Sequence, residues 1–158
     1  MPTTIERYPL ERKKIVKKTI EAILIWSVIL ASTVVAAYFF LPLYVQLIGT
    51  FSLALLVLIS AVQPFYQHFY YTTYFYDVRS DFLIIRKGVI MPRETILNYA
   101  KIQDVYVDQD LLDRLFGLWD VHVSTATLLS GAEAHLDGVN RDGATAIREL
   151  ILSKIRKK

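Results

Sequence analysis

Few side chains in this sequence carry reactive chemistry. The 158 residues contain three histidines and no cysteine, so thiol catalysis and a disulfide framework are both excluded. Asp120, His122 and Ser124 are the residue types of a nucleophilic triad and stand at i, i+2 and i+4. On a strand that spacing puts them on one face, pointing in parallel rather than converging on a reacting atom, so a solvated strand face is the expected reading. His122 and His135 could share a metal only if a hairpin set them opposite one another. A turn centred near Ser130 would instead pair His122 with about residue 138, and no metal site is expected. There is no Gly-x-Ser-x-Gly, no phosphate-cradling glycine loop and no His-Glu-x-x-His. The sequence therefore predicts no enzyme and no cofactor.

Binding is the chemistry that remains. Gln103 and Arg114 lie close to a short helical turn that Asp110 caps and Gly117 stops. They would fix that loop or present a contact to another protein, with loop fixing the expectation for polar groups so placed. Arg79, in the turn Arg79-Ser80-Asp81, and Arg86 and Lys87 before Gly88 are cations at strand turns, sparse and mixed with acid. Trp26, Tyr66, Tyr70, Tyr71 and Tyr74 have apolar bodies and polar tips suited to a membrane interface. An aromatic cage would need rings converging from several elements, whereas residues 63–76 are one contiguous segment.

The elements that must position these groups divide sharply. From Ala22 to Tyr76 there is no Asp, Glu, Lys or Arg, a run too long for a soluble core, and mean hydropathy is +0.36 overall. Ile20 to Leu41 and Tyr44 to Val62 each match a hydrocarbon layer of about 30 Å, and Pro42 breaks the helix between them. Two transmembrane helices joined by a turn within Leu41 to Gln46 follow. A cleaved signal peptide is disfavoured, because its apolar part is typically about 7–15 residues and a small-x-small cleavage site is lacking. A re-entrant hairpin would give the same sidedness and stays open.

The net charge of +3 is local. Arg7, Arg12, Lys13, Lys14, Lys17 and Lys18 precede the first span, whereas residues 77–158 hold twelve basic and twelve acidic residues. That arrangement argues for a cytoplasmic N-terminus, not for nucleic-acid binding, and two spans return the C-terminus to the same side.

Beyond Tyr71 the pattern becomes strand-like. Segments at Thr72–Val78, Phe82–Arg86, Val89–Ile90, Thr95–Asn98, Gln103–Asp108, Leu118–Thr125 and Ala132–Leu136 are separated by turn residues. Val105 and Val107 face one way, with Asp104, Tyr106 and Asp108 on the other. From about Asp142, an N-cap candidate, Ala144, Ile147, Ile151 and Ile155 mark an amphipathic helix.

These residues also carry a resemblance. Ile85-Arg86-Lys87-Gly88, Ala100-Lys101-Ile102-Gln103-Asp104-Val105 and Asp108-Gln109-Asp110-Leu111-Leu112-Asp113-Arg114-Leu115-Phe116-Gly117-Leu118, with the two preceding spans and Leu136-Asp137-Gly138-Val139, resemble the bacterial pleckstrin-homology (PH)-like domain of the YdbS-like membrane proteins. The resemblance implies a PH-like barrel of seven strands, capped by the C-terminal helix and lying on the cytoplasmic face.

The expected organisation is a basic cytoplasmic segment at 1–19, a transmembrane helical hairpin at 20–63, an aromatic interfacial segment at 64–76 and an all-β PH-like domain at 77–158. Its expected place is the plasma membrane, multi-pass, with both termini cytoplasmic. The expected role is a non-catalytic module for protein–protein assembly, whose partners are the lipid bilayer and another membrane protein or further copies of itself. Lipid-headgroup binding is the alternative: the resemblance to PH domains implies headgroup recognition by basic residues of the first strand loop, and Arg79, Arg86 and Lys87 are the candidates for it. The resemblance alone suggests a setting in envelope stress or antimicrobial-peptide resistance.

Overall fold

The computed structural model describes residues 2–125 and 134–156. In chain order these form α1 (Thr4–Arg7), α2 (Lys13–Phe40), a 3-10 turn (Pro42–Tyr44), α3 (Val45–Thr73), β1 (Phe75–Val78), β2 (Phe82–Lys87) and β3 (Arg93–Asn98). A second 3-10 turn (Tyr99–Lys101), β4 (Ile102–Asp108), α4 (Leu111–Phe116), β5 (Trp119–Thr125), β6 (Ala134–Val139) and α5 (Arg141–Arg156) follow. Two compact units result. Residues Ile15–His68 make one, and the residues up to Lys14 together with those from Phe69 onward make the other.

The first unit holds most of α2 and α3, both long and apolar enough to cross a membrane. Large apolar side chains point outward on both, with Val28 66% and Leu53 64% exposed. Hydroxyls along the helices are absorbed locally: Ser27, Ser32, Thr33, Thr50 and Ser60 each donate to the carbonyl four residues back. Polar atoms so satisfied are tolerated in an apolar solvent. Pro42 begins the tight turn between the helices, inside the expected Leu41–Gln46 window.

Both helices are longer than their apolar runs. α2 starts at Lys13 rather than Ile20, and α3 continues through Pro64 to Thr73, so the strand expected from Thr72 begins only at Phe75. No glycine or turn residue stops α3 after Pro64, and Tyr70 continues the helical spacing to Tyr74, whose ring meets it edge-on at 6.0 Å.

The second unit contains two antiparallel three-stranded sheets, ordered β1-β2-β3 and β4-β5-β6. Six strands are therefore present among the described residues, in two small sheets rather than the closed seven-strand barrel expected. Val89–Ile90 is not a strand; it lies in the β2–β3 connection, where Gly88 adopts φ +110°. The start of the strand expected at Ala132 lies outside the described residues. Tyr76, Leu83, Val121, Val123, Leu136 and Val139, all fully buried, fill the space between the sheets. On α5, Ala144, Ile147 and Ile151 close that core. Asn140 caps α5 by accepting from Gly143 N at 2.7 Å, which leaves Asp142, the expected cap, within the first turn. Asp110 and Gly117 bound α4 as expected, Asp110 accepting from Asp113 N at 2.6 Å and Gly117 adopting φ +67°.

The N-terminal segment is part of this unit. Leu10 is 5% exposed inside the core, with Ile5 and Tyr8 packed against it. Thr4 binds Asp77 through both its amide and its hydroxyl, each at 3.0 Å, and Glu11 N donates to Gly138 O at 2.8 Å. Tyr71 donates to Leu10 O at 2.7 Å, and Tyr76 donates to Tyr8 O.

Candidate functional site

The most concentrated chemistry of the second unit surrounds Asp137 on β6. Lys14 Nζ lies 3.3 Å from one carboxylate oxygen and donates to the Asp137 carbonyl at 2.9 Å. Lys87 Nζ reaches the other oxygen at 3.2 Å, and His135 Nε2 lies 2.7 Å from that same oxygen. Below the two ammonium groups is the ring of Tyr74, 4.2 Å from Lys14 Nζ and 5.3 Å from Lys87 Nζ, whose hydroxyl donates to His135 O at 3.1 Å. Lys14 and Asp137 side chains are only 4% and 10% exposed, so these are interior charges. Burial alone would raise the Asp137 pKa, but Lys14, the His135 hydrogen bond and Lys87 together outweigh it and hold the carboxyl well below the usual range. Burial and the Asp137 charge push the Tyr74 phenol well above its ordinary value.

Three parts of the chain meet here for a local reason. Gly138 adopts φ +78°, and a Cβ at that position would lie 2.7 Å from Lys14 Cδ, so the absence of a side chain lets the lysine stem lie on β6. Asp120 accepts from Gly138 N at 2.7 Å and holds the turn of backbone in place.

The histidines behave otherwise than expected. His122 pairs with His135, not with residue 138, and the two rings stack at 5.0 Å, with Tyr106 stacked on the other side of His122 at 4.8 Å. Val121 pairs with Leu136 and Val123 with Ala134, so matching apolar residues toward the core forces the two histidines together on the opposite face. His122 Nε2 lies 3.0 Å from Asp108 Oδ1. His122 is therefore a packed residue in contact with Asp108 rather than a freely solvated one, and Asp120 is engaged by the Gly138 amide.

The headgroup candidates do not converge. Arg79 lies in the β1–β2 turn with its guanidinium 3.2 Å from Asp77, whereas Arg86 and Lys87 end β2 at the other end of the sheet. Lys87 is committed to Asp137, and Arg86 stands over the Phe75 ring at 5.4 Å. Gln103 is exposed and occupies the register shift between Ile102 and Asp104, and Arg114 is exposed on α4. The two are not joined by a hydrogen bond. Among the interfacial candidates, Trp26 and Tyr66 are each 41% exposed, Tyr70 and Tyr71 pack partly against the core, and Tyr74 is buried at 4%. Tyr74 is thus a core residue of the ion cluster and not a headgroup anchor.

Two of the clefts on the described surface of this unit bear on binding. One, of about 490 Å³, is lined by Thr3, Arg7, Asp77, Arg79, Ser80 and Lys154. The other, of about 370 Å³, runs between β4 and α5 past Tyr106, Val107, Trp119, Arg141, Thr145 and Arg148. Sequence reasoning missed both clefts and the Asp137 cluster, because each joins residues far apart in the chain. The one local signal was Gly138 directly after Asp137 inside a strand, where a glycine marks a close backbone approach.

Two facing antiparallel sheets closed by a C-terminal helix, preceded by two long apolar helices, define a PH-like module. A family model for the bacterial PH domain matches residues 17–155, and the chain belongs to that family. Such domains are generally non-catalytic modules for protein interaction or lipid binding. No curated protein and no solved structure matches the chain.

Proposed function

We propose that this protein is a membrane-anchored PH-like module that holds a protein-docking surface against the cytoplasmic face of the plasma membrane. The observation that carries the reading is the composition of the second unit: the residues up to Lys14, in the first turn of α2, and the residues from Phe69, in the last turns of α3, fold into one body, joined at Asp137. One folded body lies on one side of a bilayer, so a chain leaving it through α2 must return to it through α3. Two crossings with both termini inside satisfy this, and the basic residues Arg7, Arg12, Lys13 and Lys18 ahead of the first apolar run favour the cytoplasmic side.

The cleft between β4 and α5 is the docking surface. β4 is an edge strand, Trp119 and Tyr106 supply rigid aromatic area, and Arg141 and Arg148 supply charge at its margin. A membrane-protein partner or a second copy of this chain would occupy it, and the resemblance to YdbS-like proteins suggests envelope stress or antimicrobial-peptide resistance as the setting. Headgroup binding is the second reading, favoured by the three cations Arg7, Arg79 and Lys154 around the other cleft.

A photocrosslinking residue in place of Val107, in the full chain in native membranes, tests this. A discrete protein adduct at Val107, absent when the same residue replaces Ser80, is the expected result. Lipid adducts at Ser80 with none at Val107 would overturn the docking reading in favour of headgroup binding.

A further inference from the structure

We propose that the β2–β3 connection, Gly88 to Pro92, is a wedge that inserts its apolar apex into the surface of an anionic bilayer. Ile90 and Met91 are 83% and 85% exposed, among the most exposed large apolar side chains of the second unit. Adjacent large apolar residues at a loop apex are costly in water unless something covers them. The loop is built rather than slack. Gly88 adopts φ +110°, and a Cβ there would fall 2.5 Å from Met91 O, so the apex closes tightly on the glycine backbone. Its stem pairs Lys87 with Arg93 and Arg86 with Glu94, which places cations directly behind the apolar tip.

Chain connectivity says what covers the tip. Phe75, the first residue of β1, pairs with Arg86, and only Tyr74 separates β1 from the end of α3. The connection therefore projects from the end of the sheet at which α3 enters, and the β1–β2 turn with Arg79 marks the opposite end. The Asp137 cluster repeats this placement independently. It gathers Lys14 from the first turn of α2, Tyr74 directly after α3, and Lys87 directly before the wedge. Both helix entries and the base of the wedge thus meet around one carboxylate. The occupant that fits is the bilayer those helices enter: acyl chains for Ile90 and Met91, anionic headgroups for Arg86 and Arg93, with Glu94 and the Asp137-bound Lys87 limiting the charge to a modest surplus.

The inference rests on α2 and α3 entering the bilayer, and the test separates the two claims. The chain has no cysteine, so single cysteines at Met91, Ser80 and Leu53 can each carry an environment-sensitive nitrobenzoxadiazole dye. The full chain is placed in phosphatidylglycerol–phosphatidylcholine nanodiscs, and quenching by lipids spin-labelled on the acyl chain is read. Expected are a blue-shifted, quenched dye at M91C and L53C and an unquenched, water-like dye at S80C. An R86Q/R93Q background lowers quenching at M91C on anionic discs, about fivefold in tip occupancy for each cation removed, and leaves L53C unchanged. Quenching at L53C with a water-like dye at M91C would overturn the wedge alone, as would equal quenching at M91C and S80C. Loss at both L53C and M91C would overturn the membrane reading beneath it.

Discussion

Replacing Asp137 with Asn should uncouple the N-terminal segment from the sheets, and the cost can be worked from the geometry. The wild-type carboxylate balances Lys14 at 3.3 Å and Lys87 at 3.2 Å, and Lys14 is almost fully enclosed. Removing one member of a buried, hydrogen-bonded ion pair typically costs about 3–5 kcal/mol, because the other charge remains desolvated. Asn keeps the volume and the backbone carbonyl that Lys14 also uses, so the lower half of that range is the expectation. For a unit of roughly 100 residues each kcal/mol lowers the melting temperature by about 4–8 °C, which gives a drop of about 12–32 °C. Lys14→Met should cost less, since Lys87 and His135 remain on the carboxylate. The double variant should cost less than the two single changes added together, as coupled neighbours do. Near-ultraviolet circular dichroism of the full chain in mild detergent follows the tyrosines of this unit. Limited trypsin digestion reports release of the segment at Arg7 and Arg12. An Asp137→Asn protein that melts with wild type and resists trypsin equally would refute the placement of these charges.

Four further outcomes follow from the same geometry. Because the folded Asp137 pKa lies below its unfolded value of about 3.9, its contribution is complete above that pH and is lost as pH falls toward the folded value; acid unfolding of Asp137→Asn should lack that component. Tyr74, Tyr76 and Tyr99 have folded pKa values raised by burial, so their contribution is complete below the unfolded value near 10 and declines above it; the part of the tyrosinate absorbance lost in a Tyr74→Phe/Tyr76→Phe/Tyr99→Phe variant should be the part that rises together with unfolding. Gly138→Ala should destabilise the unit through both its positive φ and the Lys14 stem, and in thermal melts its double variant with Lys14→Ala should lose less than the two single losses added together. His122→Ala should lower stability by about 1 kcal/mol in denaturant titrations, more than an exposed strand residue would, because it removes the Asp108 pair and the stack with Tyr106 and His135.

What could be read from the sequence was local or periodic. The apolar runs, the Pro42 turn, the Asp110 and Gly117 boundaries of α4 and the buried stripe of α5 each depend on neighbours within a few residues. What could not be read is long-range. Lys14 and Asp137 are 123 residues apart, and a lysine in a basic segment gives no sign that it will be buried. A turn centred near Ser130 suggested one hairpin register, while the need to face Val121 and Leu136 inward set another, three residues away, and brought His122 onto His135. α3 outran its apolar stretch because the aromatic residues after Pro64 continue a helix as readily as they begin a strand.

The most direct test of the central claim uses the same cysteine-free chain in intact cells, with single cysteines at Thr3, Val45 and Ser153 and a membrane-impermeant thiol reagent. Thr3 and Ser153 both lie in the unit joined at Asp137, and Val45 begins α3 just after the turn between the helices. The expected result is labelling of Val45→Cys from outside, with Thr3→Cys and Ser153→Cys labelled only after permeabilisation. Labelling of Thr3→Cys and Ser153→Cys from opposite sides, or of Ser153→Cys in intact cells, would contradict a single cytoplasmic body anchored by two crossings.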